Sequence, residues 1–375
     1  MTSALFPTTV YLDRLARVRA AMEADGVDVL LLSVGPDLPY LTGYEAMPLE
    51  RLTMLVVPRD GDATLVVPRL EAPRVADQPG LFTLAPWNET DDPISIVAGL
   101  VGGSGRAAVT AIGDHTWSRF LVDLMGALPK AAWRRAVHTV GPIRMRKDAA
   151  EIEALASAGA AVDRIATQLQ GGEIRLVGRT EADVSAELSA RIRAEGHDKV
   201  NFAIVAAGEN AASPHHEAGS RVIRSGEVVL TDFGGTKAGY CSDITRCVSI
   251  GEPSAEIAEA YAALHEAQQA GVAAGVVGVP CEQVDLVTRR VLVEAGFGEF
   301  FIHRTGHGIG MEAHEDPYMV QGNTQRLEAG HAYSVEPGIY VPGRFGMRLE
   351  DIVVATADGP RSLNNAAHEL VVVDG

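Results

Sequence analysis

Three cysteines in 375 residues are too few for a disulfide framework. Cys241, Cys247 and Cys281 form no C-x-x-C pair, and an odd count leaves a thiol over. That scarcity suits a reducing compartment, so a cytoplasmic location is expected. Positive charge is also short: 32 Lys and Arg stand against 49 Asp and Glu, a formal charge of −17. Phosphate backbones are bound by clustered Lys and Arg, which argues against a nucleic-acid partner and against an anionic membrane surface. The apolar run "VDVLLLSV" at 27–34 is far shorter than the roughly 20 residues a membrane helix needs. It reads as a buried strand. The first residues lack the basic-then-apolar layout of a signal peptide.

What is present is a folded chain with room for two domains: 47% of residues are apolar and 22% charged. Residues 10–25 place Leu12, Leu15, Val18 and Met22 at helical spacing, with Gly26 as the stop. Short apolar runs at 27–33, 52–58 and 63–68, bounded by Pro, Gly and Asp, predict strands joined by turns. Residues 1–140 are therefore expected to be an α/β domain, and they hold no cluster of His, Cys or carboxylates that suggests chemistry. Residues 138–147 read as a connector. Asp148 and Glu151 then open a helix that closes at Gly171. A second helix is expected at 180–196, with strands at 227–234 and 240–250. The order repeats with helices at 254–271 and 281–296 and strands near 331–341 and 347–355. Residues 141–375 are accordingly expected to be a duplicated domain, and the whole chain α+β.

The chemistry concentrates in two hairpins. In "LTDFGGTKAGYCSDITR" (230–246), Asp232 and Asp243 are placed symmetrically about Lys237 and Ala238, so they are expected to face each other. In "SVEPGIYVPGRFGMRLED" (334–351), Glu336 and Glu350 are symmetric about Gly343, inside the turn signal "PGRFG". Pro337 biases Glu336 toward extended backbone. Like charges opposed across a sheet repel. Two divalent cations in a pocket lined by both hairpins would neutralise four carboxylates.

The segment "FIHRTGHGIGMEAHEDP" (301–317) adds His303, His307 and His314. His303 and His307 are four apart, yet a helical H-E-x-x-H zinc site is ruled out: Arg304 stands in the Glu position, and Gly306, Gly308 and Gly310 weaken a helix. A loop or strand edge with close backbone approach is expected. One imidazole from His307 with four carboxylates makes an oxygen-rich set that favours Mn²⁺ or Co²⁺, with Zn²⁺ and Fe²⁺ left open. His215 and His216 fall in a loop before Asp232. His138, His265 and His331 read as structural or solvated, and Cys241 and Cys247 as packing residues.

The set Asp232, Asp243, His307, Glu336 and Glu350 resembles the five-ligand dimetal site of the pita-bread metallopeptidases: methionine aminopeptidase, aminopeptidase P and prolidase. The resemblance spans roughly 148–375 and rests on "TDFGG…YCSDITR", "HRTGHGIGMEAHE", "SVEPGIY" and "RLED". "LPYLTGYE" (38–45) and the strand before it look like the amino-terminal domain of the proline-specific members. The resemblance implies that Asp232 binds one metal, Asp243 and Glu350 bridge two, and His307 and Glu336 complete the second. It also implies that His303 lines the pocket and helps hold substrate. His314 would contact the scissile carbonyl oxygen, His215 the proline side, and Arg348 would lie near the bound peptide. Paired ions acidify a bridging water, with Glu336 as general base and then acid.

The implied activity is cleavage of the bond before proline, as an Xaa-Pro dipeptidase acting on short peptides, within a cytoplasmic homodimer. Aminopeptidase P action on longer peptides is the alternative. Methionine aminopeptidase is disfavoured by the extra amino-terminal domain, and a metal-free creatinase-like hydrolase by the five filled ligand positions. A non-catalytic binding module on this fold is the reading from another class.

Overall fold

The computed structural model describes residues 6–76, 78–102 and 108–374. Its contacts divide the chain into two units, 1–144 and 145–375. The first opens with α1 (Thr8–Asp25), stopped by Gly26 at φ 65°. The buried stripe of α1 is Tyr11, Leu15, Val18 and Met22. Leu12, expected on that stripe, is 38% exposed, because Tyr11 occupies the row below Leu15 and turns position 12 outward.

The unit continues through β1 (Val29–Leu32), α2 (Asp37–Thr42), β2 (Met54–Pro58), β3 (Thr64–Pro68), β4 (Thr83–Trp87), α3 (Pro93–Gly102), β5 (Val109–Ile112), α4 (Ser118–Ala127) and β6 (Ala132–Arg135). The strands form one sheet in the order β4-β3-β2-β1-β5-β6. Central β1 is antiparallel to β2 and parallel to β5. All four of its residues are buried, as the continuous run "VLLL" requires of a strand covered on both faces. Val29 and Leu31 pack with Val97 and Leu124 from α3 and α4. The segment read as a connector is a helix, α5 (Val137–Met145), with Pro142 inside it. Burial of Val140 and an ion pair from Arg144 to Asp37 at 2.8 Å offset the backbone bond that the proline removes.

The second unit repeats one plan. Helices α6 (Ala149–Gln170) and α7 (Glu181–Ala194) precede β7 (Lys199–Ala207), β8 (Val228–Lys237), β9 (Tyr240–Cys241) and β10 (Ile244–Ile250). Helices α8 (Ala255–Ala274) and α9 (Cys281–Glu294) precede β11 (Gly306–Gly308), β12 (Glu315–Met319), β13 (Ala332–Val335), β14 (Gly338–Val341), β15 (Phe345–Arg348), β16 (Asp351–Thr356), β17 (Gly359–Ser362) and β18 (Val371–Val373). One sheet runs β18-β10-β8-β7 and the other β12-β11-β13-β16-β17, while β14 and β15 form a separate ribbon. Asp148 and Glu151 make the expected capping box on α6. Val162, Ile165 and Leu188 of the first helix pair bury against Val229 and Phe233. Val284 of α9 buries against Tyr333 and Val353. Leu264 of α8 packs with Leu230, Cys247, Ile339 and Met347, tying both hairpins to one core.

Candidate active site

In the first hairpin Asp232 lies opposite Thr245, and not opposite Asp243 as expected. The reversal is the pair Ala238-Gly239, at φ 49° and 77°, one residue beyond the midpoint read from the sequence. Two positive-φ residues are what a tight primed hairpin turn demands, and glycine was present at only one of them. A slip of one at the turn moves the cross-strand partner by two. Parity is kept, so Asp243 still shares a face with Thr245, diagonal to Asp232. In the second hairpin Val335 pairs with Asp351 and Gly338 with Arg348. Glu336 is therefore level with Glu350, in the break between the two ladders. Thr245 joins the hairpins. Its carbonyl accepts from Glu350 N–H at 3.3 Å, and its Oγ1 donates to Glu350 Oε2 at 2.7 Å.

His307 is central in β11. A side chain at Gly306 would stand 1.8 Å from the Ser334 carbonyl and one at Gly308 2.3 Å from that of Asp316, so the glycines permit the close strands. The His307 Nδ1–H donates to the Gly308 carbonyl at 3.1 Å. Its Nε2 then faces Glu336 Oε1 at 3.2 Å and Asp243 Oδ2 at 3.8 Å. A nitrogen aimed between two carboxylates needs a proton or a metal ion there.

Ligand atoms of Asp243, His307 and Glu350 lie within 4.8 Å of one another. Asp232 Oδ2 pairs with Arg348 at 2.5 Å, while its Oδ1 is buried with no hydrogen-bond partner. Burial, reinforced by mutual repulsion, pushes Asp243 and Glu350 well above the ordinary carboxylate range. Burial also raises Asp232, against the pull of Arg348. Glu336 alone goes down, to about 2: burial is outweighed by His307, His303 and Arg348. Four crowded carboxylates with an orphaned oxygen and an aimed imidazole suit divalent cations.

The accessory residues divide. The His314 ring lies against that of His307, with centroids 3.8 Å apart and planes tilted by 35°. Burial, His307 and Arg304 hold it neutral, with a pKa of about 4. Arg304 Nη2 donates to its Nδ1 at 3.4 Å, so its proton resides on Nε2. His303 is less free than expected: Nδ1 donates to the Arg304 carbonyl at 2.7 Å and Nε2 accepts from Tyr340 Oη at 2.9 Å. Both nitrogens are therefore occupied, and the ring packs against Phe301 and Tyr340. Arg348, expected at the substrate, is 3% exposed and turned inward. Its guanidinium donates to Asp232, to Tyr340 Oη at 2.7 Å and to Thr245 Oγ1 at 3.2 Å. It neutralises the Asp232 carboxylate, because an unpaired carboxylate there is costly.

His215 is exposed and lies within electrostatic reach of His303 and His314. Its loop is anchored by buried Glu181, which accepts from Ala207 N–H at 2.9 Å and pairs with His216 Nε2 at 2.8 Å. His216 is thus a structural partner. The loop's other end reaches the centre, where the Pro214 carbonyl accepts from Arg348 at 3.4 Å. Sequence reasoning missed Glu181, Thr245, Tyr340 and two further supports. Asp285 accepts from Thr305 N–H at 2.9 Å ahead of His307, and Arg246 pairs with Asp351 at 2.8 Å behind Glu350.

The model of metallopeptidase family M24 matches residues 151–357, and that of the creatinase/prolidase N-terminal domain matches 14–146. The protein named probable dipeptidase PepE in Mycobacterium tuberculosis is 45% identical, covering 100% of this chain and 99% of its own. The Xaa-Pro dipeptidase of Lactobacillus helveticus is 33% identical over 96% of this chain and 98% of its own. The crystal structure of dipeptidase PepE from Mycobacterium ulcerans superposes with a TM-score of 0.92 at 45% identity, covering 99% and 100%. This chain belongs to metallopeptidase family M24, with a creatinase-like amino-terminal domain before a pita-bread domain. It is a hydrolytic enzyme of that family.

Proposed function

We propose that the protein is an Xaa-Pro dipeptidase, hydrolysing the bond before proline in short peptides with two divalent cations held by Asp232, Asp243, His307, Glu336 and Glu350. The observation that carries the reading is the crowding of buried carboxylates around the His307 Nε2, which like charge alone would drive apart. Divalent cations bound there supply Lewis-acid polarisation of a carbonyl and acidification of water. Glu336 is ionised and steadied by the Ser334 hydroxyl, which donates to its Oε1 at 3.0 Å. It takes a proton from water and delivers it to the proline nitrogen as that nitrogen leaves. Neutral His314, carrying its proton on Nε2, donates to the carbonyl oxygen as negative charge develops. His215 at the mouth and the ring face of His303 flank the proline side. A bond to proline is a tertiary amide without N–H, so recognition must rest on shape and on the peptide's ends.

The oxygen-rich donor set favours Mn²⁺ as the working ion. Three buried cysteines, none of them disulfide-bonded, support a reducing, cytoplasmic setting. Among the described residues no helix is long and apolar enough to cross a membrane. A homodimer is part of the proposal on family grounds. The test is turnover of Ala-Pro and Ala-Pro-Ala-Ala by metal-free protein given Mn²⁺, Co²⁺ or Zn²⁺. Cleavage of Ala-Pro is expected. Cleavage of only the longer peptide would make the protein an aminopeptidase.

A further inference from the structure

A dipeptide ending in proline brings a free carboxylate to the site, one residue from the bond that breaks. The chain carries a formal charge of −17, and the centre itself is lined with acids. A cation placed to meet the substrate carboxylate would offset the negative surroundings that the proposed metal ions leave.

Most cations around the centre are spent. Arg348 is held by Asp232. Arg289 pairs with Asp285 at 3.1 Å and donates to the carbonyls of Phe301 and His303. Arg246 pairs with Asp351, and Lys147 with Glu315 at 2.5 Å. Arg304 is different. Among the described residues no carboxylate pairs with it. Its guanidinium lies over the Tyr318 ring, 4.4 Å from the centroid, and donates to His314 Nδ1 at 3.4 Å. Its carbonyl accepts from His303. The half-buried side chain is thus held between Tyr318 and His314, with its backbone carbonyl on His303, and its other N–H donors have no partner among the described residues. Glu312, Asp316 and Glu315 also lie within electrostatic reach of Tyr318, and Glu315 is neutralised by Lys147.

We propose that Arg304 is the anchor for the substrate's free carboxylate, and so the residue that makes this site prefer dipeptides. The inference rests on the Xaa-Pro reading above and deepens it. A planar guanidinium presents paired donors that match a carboxylate, and stacking on Tyr318 preorganises it. A dipeptide gripped there has its carbonyl oxygen delivered to His314, which Arg304 also orients. A longer peptide has an amide where the carboxylate would be, and gains nothing from the charge.

The test compares Ala-Pro, Ala-Pro-NH2 and Ala-Pro-Ala as substrates of Mn²⁺-loaded wild type, Arg304→Met and Arg304→Lys. Removing a charge-assisted contact should lower kcat/KM on Ala-Pro about 10- to 100-fold more than on the other two. The Lys variant should recover part of that difference, because it keeps the charge without the fork. The part of the loss specific to Ala-Pro should fall on KM, with bound metal unchanged. Equal losses on all three substrates, or no loss on any, would overturn the anchor while leaving the Xaa-Pro reading intact. A wild type that cleaves none of the three would overturn that reading, and the anchor with it.

Discussion

The two units of the chain bury charge in opposite ways. In the first, the buried polar residues among those described are hydroxyls, Gln78, Arg14 and Arg144, with no Asp or Glu. In the second, Glu151, Asp163, Glu181, Asp232, Asp243, Asp285, Glu350 and Asp351 are all buried. A buried carboxylate is costly unless donors surround it, so that contrast separates a scaffold from a centre. The second unit's acids then divide again. Glu181, Asp285 and Asp351 each collect several donors. Asp232, Asp243 and Glu350 are crowded together with one arginine among them. The first group holds loops and ligands in place. The second is arranged for ions.

That division predicts effects of different kind and size. The largest belongs to Asp243→Asn. If Asp243 is the proposed metal ligand, its loss removes several kcal/mol of transition-state stabilisation, on the order of a 10³-fold drop in kcat/KM, measured on Ala-Pro. Next is Asp285→Ala, which strands Arg289 and frees the segment ahead of His307. Arg289 is partly exposed, so the main loss is the buried Thr305 N–H and hydroxyl left without their acceptor, about 1–3 kcal/mol, read as a lower denaturation midpoint with or without metal. If Asp285→Ala left stability intact, the assignment of supporting acids would fail.

How much of this was legible in the sequence depends on what each residue's neighbours were. Glu336 and Glu350 were placed correctly, because "PGRFG" marks its own turn. The symmetric placement of Asp232 and Asp243 misses the register by two residues, because Ala238 at φ 49° carries no signal of positive φ. The parity survived, and so did the face. Arg348 could be located near the centre, but spacing says nothing about which way a guanidinium points. Glu181 begins α7 just after its Thr180 cap. It looked like any acid placed favourably at a helix start, and only the fold shows four donors closing on it. In the sequence, Arg304 stands out only as the residue that spoils a zinc motif.

The smallest predicted effect sharpens the comparison by its sign. Asp243 binds its proton more tightly in the folded state than its ordinary 3.8 allows. A raised carboxylate pKa means that stability falls as pH rises above about 4, once the unfolded chain ionises and the folded one resists. Metal-free wild type should therefore be less stable at pH 8 than at pH 5, and Asp243→Asn should remove part of that loss. The direction follows from burial of Asp243 and its repulsion by Glu350, Asp232 and Glu336. Thermal melts of chelated protein across pH would show it. A variant that melts lower than wild type at pH 8 would place Asp243 among the supporting acids instead.

Metal titration of the chelated protein, with bound ions counted and Ala-Pro turnover read on the same samples, tests the central claim most directly. Activity rising to a plateau as two divalent ions bind per chain is the expected result. Full turnover with fewer than one ion per chain would contradict it.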